Sequence, residues 1–196
     1  MVQVAHRAQE VFEWHIDPAV VESLIDEAAG IEFTRIVGTK FGAKISPRRI
    51  TSPFDLASAP GGEVAGQVAA SDEAATALRQ LTTDELALTA TTYVLYDTAS
   101  FIGLHTDRSG CDLNLLIALV GAPTTFEFFP ALVDEPAPAV FDMAKEGSGF
   151  ITGGNTIELP IAGASVAFVG SVLPHQRRHT SEPVLMLSLC YHFGQH

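Results

Sequence analysis

The sequence predicts a mainly β fold, a jelly roll or sandwich, with helices supporting it at the N-terminal end. Three observations point there. After residue 86, short β-branched or aromatic runs recur at 88–96, 113–120, 124–129, 155–161, 164–170, 173–179 and 184–193, with Gly and Pro between them. Closely spaced short strands of this kind build sandwiches and closed sheets. Before residue 86 the strong periodicity is helical. The composition also permits a sizeable core: 47% of the 196 residues are hydrophobic, 17% are charged and the mean hydropathy is +0.24. A chain of this length fits one domain. With no solenoid repeat or dividing linker, we read 1–85 as helical and loop support and 86–193 as the jelly-roll core of a single unit over 1–196.

Taken in order, residues 1–16 form a mixed amphipathic start with strand character. Asp17-Pro18 then supplies an N-cap and a proline at the first helical position. Val20, Val21, Leu24, Ile25 and Ala28 follow at helical spacing, and Gly30 closes the helix. Residues 31–37 and 43–50 read as short strands. From Ser52 to Ala70 the chain turns to Gly, Pro, Ala and Ser without periodicity, which predicts a long loop. Ser71 caps a second helix running to Leu81, with Leu78 and Leu81 inward. Residues 130–149 form another Pro- and Gly-rich insertion between strands.

The formal charge is −12, and the eleven Lys and Arg residues form no basic tract. Phosphate backbones and anionic membrane surfaces need clustered cations, so neither nucleic acid nor a membrane is an expected partner. The balance favours neutral or cationic small substrates. Cys111 and Cys190, the only cysteines, lie in no CxxC and read as reduced thiols of an intracellular protein. The first fifteen residues interleave charge with apolar residues, unlike a signal peptide. The runs Leu115–Val120 and Val184–Cys190 are too short to span a membrane. These features predict a cytoplasmic location.

Chemistry concentrates in TYVLYDTASFIGLHTDRSGCDLNLLIAL, residues 92–119. His105 and Asp107 stand two apart between apolar β-type runs, so an extended backbone points them to the same face. An imidazole and a carboxylate so placed make two ligands of a facial metal site, which needs a third from far along the chain. In GASVAFVGSVLPHQRRH a strand turns at Gly170-Ser171 and delivers His175, the candidate third ligand; His179, two steps on, is the alternative. HxD alone is a short pattern, and His15-Ile16-Asp17 repeats it. There the Asp is better read as the helix N-cap.

With Tyr96 nine residues before His105, the pattern resembles the double-stranded β-helix (jelly roll, cupin-like) of iron(II)- and 2-oxoglutarate-dependent oxygenases. Small, bacterial-type prolyl-hydroxylase-like members are closest in spacing. The resemblance covers residues 86–193. It implies iron(II) on His105, Asp107 and His175, which are then also the catalytic residues. It further implies 2-oxoglutarate in contact with Tyr96, and hydroxylation with O2 of an unactivated C–H of a small molecule or peptide. An intact Asp107 favours hydroxylation or desaturation over halogenation. The loops 52–70 and 130–149 become candidate substrate lids.

One position departs from the family. Ten residues after the distal His, where an Arg or Lys ordinarily pairs with the far carboxylate of 2-oxoglutarate, this chain has Leu185. Arg177, on the face of His175 by period-2 geometry, is the expected replacement, whereas Arg178 should face away. Arg108 is the second candidate, and Thr124 or Thr125 can add a hydroxyl. Two other classes stay open: a cupin-like metal enzyme without 2-oxoglutarate, which Leu185 favours, and a non-catalytic jelly-roll binding module.

Overall fold

The computed structural model describes residues 10–39, 41–44, 49–160 and 163–194. A first strand, β1 (Val11–His15), leads into helix α1 (Pro18–Ala29). The Asp17 carboxylate accepts the Ala19 N–H at 2.8 Å, so the cap expected from Asp17-Pro18 starts this helix. Val21, Leu24 and Ala28 form its buried side. Then come β2 (Thr34–Gly38), β3 (Gly42–Lys44), β4 (Arg49–Thr51) and β5 (Phe54–Pro60). Two short helices follow, α2 (Glu63–Ala69) and α3 (Asp72–Arg79). The Ser71 hydroxyl caps α3 by accepting the Ala74 N–H at 3.1 Å, as expected, and Leu78 and Leu81 are buried.

The remaining strands are β6 (Leu86–Tyr96), β7 (Phe101–His105), β8 (Leu113–Gly121), β9 (Thr124–Phe128), β10 (Asn155–Leu159), β11 (Ala164–Phe168), β12 (His175–Arg177) and β13 (Val184–Phe193). Residue 161, the end of one predicted strand, and residues 45–48, inside another, lie outside the described residues. One antiparallel sheet holds the strands in the order β1-β11-β8-β13-β6-β5-β7-β12-β9-β10, with β2 on β5; β3 and β4 make a separate hairpin. The sheet folds over at β5, whose Ala57–Pro60 half pairs with β6 while Phe54 and Asp55 pair with β7. The result is a curled half-barrel, the jelly-roll architecture the strand spacing predicts.

Period-2 alternation divides the large half of the sheet between two cores. From β8, Leu113, Leu115, Ile117 and Leu119 join Leu187, Leu189 and Tyr191 of β13 in the cluster covered by α1, α2 and α3. Leu116, Ala118, Val184 and Met186, on the same strands, face the other way. They meet Phe126, Phe128 and Leu159 of the small half inside the curl. The helical layer is fastened by Glu27 of α1. Its carboxylate accepts the N–H groups of Gly62, Val64 and Ala65 at 3.2, 2.7 and 3.1 Å, capping α2 from outside, and the Tyr93 hydroxyl at 2.7 Å.

Three expectations are corrected here. Residues 52–70 are not a long loop: they contain β5 and α2. FDLASAP lacks the β-branched texture of a strand and is extended because β2, β6 and β7 all hydrogen-bond to it. Residues 130–149 contain a 3-10 turn at Pro130–Leu132 and helix α4 (Ala137–Glu146). Ala137, Val140 and Ala144 of α4 pack with Ile50, Leu104 and Phe129 against the outside of the small half. Finally, Cys111 and Cys190 are joined in a disulfide rather than held as free thiols. They are 79 residues apart in sequence, and the β8–β13 pairing brings their Cα atoms to 4.8 Å. The argument from reduced thiols to an intracellular location therefore fails. Among the described residues no helix is long and apolar enough to cross a membrane.

Candidate metal centre

β7 ends at His105, and β12 begins at His175 directly across the ladder from it. Their rings lie 4.1 Å apart, centroid to centroid. The chain turns after His105 and places the Asp107 Oδ1 3.6 Å from His105 Nε2 and 3.8 Å from His175 Nε2. One donor atom from each of the three residues lies within 4.8 Å of the others. His179 is elsewhere, exposed and against the Phe101 ring. His15 stays at the end of β1, its Asp17 spent on the helix cap.

The histidines are oriented for ligation. His105 Nδ1 meets the Gly103 carbonyl at 2.8 Å, and His175 Nδ1 meets the Leu173 carbonyl at 2.9 Å. A carbonyl only accepts, so each Nδ1 carries the proton and each Nε2 presents a lone pair to the cluster. Burial, then the neighbouring His105 charge, pushes the His175 pKa down to about 4 against the pull of Asp107. It is therefore neutral at pH 7, the form a metal requires. For Asp107 burial acts upward, but the neighbouring imidazoles of His105 and His175 and the Asn114 hydrogen bond outweigh it and hold the pKa below the usual carboxylate value. Two imidazoles and one carboxylate converging on one point are a donor set suited to iron(II) or a similar divalent ion.

Three further residues position Asp107. Its backbone N–H donates to the Gly170 carbonyl at 2.8 Å. The approach is so close that a Cβ on Gly170 would come 1.9 Å from Asp107 Oδ2. Asn114 Nδ2 donates to the same Oδ2 at 3.1 Å, and its own oxygen accepts the Ser188 hydroxyl at 3.0 Å. Sequence reasoning missed this chain. The signal was there, because Asn114 interrupts the apolar run LNLLIAL and had to find partners inside.

Arg177 is fully buried, its guanidinium 3.7 Å from the Tyr96 ring centroid. Its Nε donates to the Thr124 hydroxyl at 2.8 Å; longer contacts reach the Arg178 carbonyl and Thr180. Among the described residues no carboxylate pairs with it. Burial pushes its pKa down, and the Tyr96 pKa is raised, mainly by burial. Arg178 points away and pairs with Glu127 at 3.1 Å. Leu185 packs with the helix-side cluster, so a count of ten from His175 lands on the wrong face of β13. Thr125 and Arg108 are exposed, Arg108 at the mouth beside Asp107.

His105, Asp107 and Arg108 line an open cavity of about 740 Å³, whose wall includes β5 residues such as Phe54 and Leu56. No residue of 130–149 lines it, and residues 54–60 contribute as a sheet strand, so neither predicted lid segment has the form of a free loop over the mouth. A second cavity of about 330 Å³, between β1, α1 and α2, contains Trp14, Val20 and Val64. It lies apart from the ligand cluster.

No protein-family model matches the chain, and no curated protein matches it in sequence. Solved structures do. HygX from Streptomyces hygroscopicus, with nickel and 2-oxoglutarate bound, superposes with a TM-score of 0.65 at 14% identity, over 97% of this chain and 85% of its own. The α-ketoglutarate-dependent epimerase SnoN of nogalamycin biosynthesis gives 0.67 at 16%, over 98% and 81%. A Pseudomonas putida prolyl-4-hydroxylase gives 0.55 at 14%, over 99% and 98%. This chain thus has the fold of structures in the iron(II)/2-oxoglutarate oxygenase family, as the sequence resemblance implies.

Proposed function

We propose that the protein is an iron(II)- and 2-oxoglutarate-dependent oxygenase, an oxidoreductase in which His105, Asp107 and His175 hold the metal. The observation that carries this reading is the pairing of the two sites. Three ligands converge with both Nε2 lone pairs free, and behind them a buried guanidinium lacks an anion. A buried cation without a counter-charge is costly, and a dicarboxylate co-substrate would relieve that cost. In this reading Arg177 offers its fork to the far carboxylate of 2-oxoglutarate, with the Thr124 hydroxyl holding Nε in place and Tyr96 backing the guanidinium. The cavity of His105 and Asp107 does not extend to Arg177. Leu56 and Ile102 line it on one side and belong on the other to the cluster that contains Tyr96, so co-substrate entry requires these side chains to shift.

Bound iron(II) supplies the capacity to activate O2 at the expense of the keto acid and to oxidise a C–H bond. The residues of this chain hold the metal, keep the buried His175 neutral and place the substrate cavity against the metal. We assign hydroxylation of a small molecule or peptide as the outcome, with the intact Asp107 carboxylate arguing against halogenation. Support comes from HygX, also solved with hygromycin B, and from the prolyl-4-hydroxylase. SnoN, an epimerase on the same fold, shows why the outcome needs its own test.

The test is anaerobic titration with iron(II) or manganese(II) and then 2-oxoglutarate, followed by succinate formation in air. His105→Ala should lose the metal. Arg177→Leu should keep the metal and raise the 2-oxoglutarate requirement by about 100-fold, as expected for a lost bidentate charge-assisted pair. Unchanged metal binding in the first variant, or an unchanged requirement in the second, would refute the corresponding assignment.

A further inference from the structure

Two arginines at the cavity remain without a role. Arg49 belongs to β4, a strand tied to the turn of the metal ligands: the Ile50 N–H donates to the Thr106 hydroxyl at 3.0 Å, and the Thr106 N–H donates to the Ile50 carbonyl at 3.2 Å. Thr106 is the residue between His105 and Asp107, so this tie places Arg49 beside the cluster, where it lines the same cavity as Arg108. Arg49 Nε is buried with no hydrogen-bond partner, the one such side-chain nitrogen or oxygen among the described residues. Leaving a charged donor unmet in this way is costly unless something outside the chain meets it.

The rest of the molecule makes this absence informative. Acidic residues outnumber basic ones 23 to 11, so carboxylates are plentiful. The other guanidiniums buried or pointed at neighbours find partners: Arg35 pairs with Asp55 at 2.8 Å, Arg178 with Glu127, and Arg177 with Tyr96 and Thr124. Among the residues lining the cavity the sole carboxylate is Asp107, whose two oxygens face the imidazoles and Asn114. Two cations at one mouth, paired with no carboxylate among the described residues, form a local positive site on an acidic protein. The walls nearby are apolar, with Phe54, Leu56 and Ile102.

We infer that the substrate carries an oxyanion, a carboxylate or a phosphate ester, which Arg49 and Arg108 clamp so that the adjoining carbon skeleton lies against the apolar wall facing the metal. This inference rests on the oxygenase reading and departs from the expectation of neutral or cationic substrates drawn from net charge. Net charge describes the whole surface, whereas a clamp depends on what lies within a few ångströms of the ligand.

The experiment uses the full chain saturated with manganese(II) and 2-oxoglutarate, so that Arg177 is already occupied. It is titrated calorimetrically with phenylacetate, phenyl phosphate and the uncharged phenylacetamide. Both anions should bind the parent at least about tenfold more tightly than the amide, and Arg49→Gln or Arg108→Gln should each erase about tenfold of the anion affinity, one charge-assisted hydrogen bond's worth. Neither variant should change amide, manganese or 2-oxoglutarate binding. Arg79→Gln, which removes one distant positive charge, should change nothing. Tighter phenyl phosphate assigns a phosphate ester, and tighter phenylacetate a carboxylate. Equal affinity for acid and amide, no effect of either variant, or an equal effect of Arg79→Gln would overturn the inference. A parent that binds manganese and 2-oxoglutarate but ignores the anions defeats the clamp alone. A parent that fails to take manganese defeats the oxygenase reading as well.

Discussion

The two faces of β8 and β13 are made by the same strands and serve opposite ends. On the helix side, Leu113, Leu115, Ile117, Leu119, Leu187 and Leu189 form an unbroken apolar surface. On the inner side the alternate residues begin apolar, with Leu116, Ala118 and Met186, and turn polar toward the mouth at Asn114 and Ser188. One face is built only to be buried. The other gives up apolar contact near its end to hold a carboxylate in place. Stability and chemistry are thus separated by a single residue of register, which no slip of the strand could preserve.

That separation can be broken from either side. Asp107→Ala should have the largest effect on the inner face, abolishing metal binding by calorimetry while leaving the thermal transition close to that of the metal-free parent. On the outer face, Leu187→Ala should cost about 2–5 kcal/mol of stability by urea denaturation, through lost burial and a cavity. The folded fraction should still bind metal with parental affinity; a matching loss of affinity would show that the two faces are not separate. Asn114→Ala should fall between, reducing metal affinity about 10- to 100-fold by releasing Asp107 and orphaning Ser188, with a smaller effect on unfolding.

The smallest expected effect lies in the helical layer. Burial pushes the Glu27 pKa up, but the Tyr93 hydrogen bond and the N–H groups of Val64, Ala65 and Gly62 outweigh it, so the folded value is lowered. A group with a lowered folded pKa contributes stability above its unfolded pKa and loses that contribution as pH falls through the folded value. Glu27→Gln should therefore cost about 1 kcal/mol at neutral pH, the scale of a lost helix cap. The difference from the parent should shrink as pH falls below about 4, the unperturbed carboxylate range. A difference that stays constant down to pH 3 would remove the charge from the explanation.

Legibility differed by element for physical reasons. The helix after Asp17 and the helix after Ser71 were readable because a cap and a 3.6-residue period are local signals. His105 and Asp107 were readable as a pair from their spacing of two, although Asp107 lies past the end of β7, and His175 from the family resemblance. Arg177 was picked as inward and Arg178 as outward because i and i+2 on a strand share a face, and the structure points them so. β5 was not readable, since FDLASAP owes its extension to three partner strands rather than to its composition. The disulfide was invisible too, because a separation of 79 residues carries no hint of a 4.8 Å approach.

The sequence by itself therefore determined the strand-rich core, its helical support and the pairing of His105 with Asp107, all of which follow from spacing along one segment at a time. Tertiary structure alone decided which face of β13 Leu185 occupies, that Gly170 must lack a side chain beside Asp107, that Asn114 and Ser188 brace that carboxylate, and that Arg49 reaches the same cavity as Arg108. Those facts depend on the register between strands far apart in the chain, a quantity set by how the whole sheet packs and absent from any local pattern.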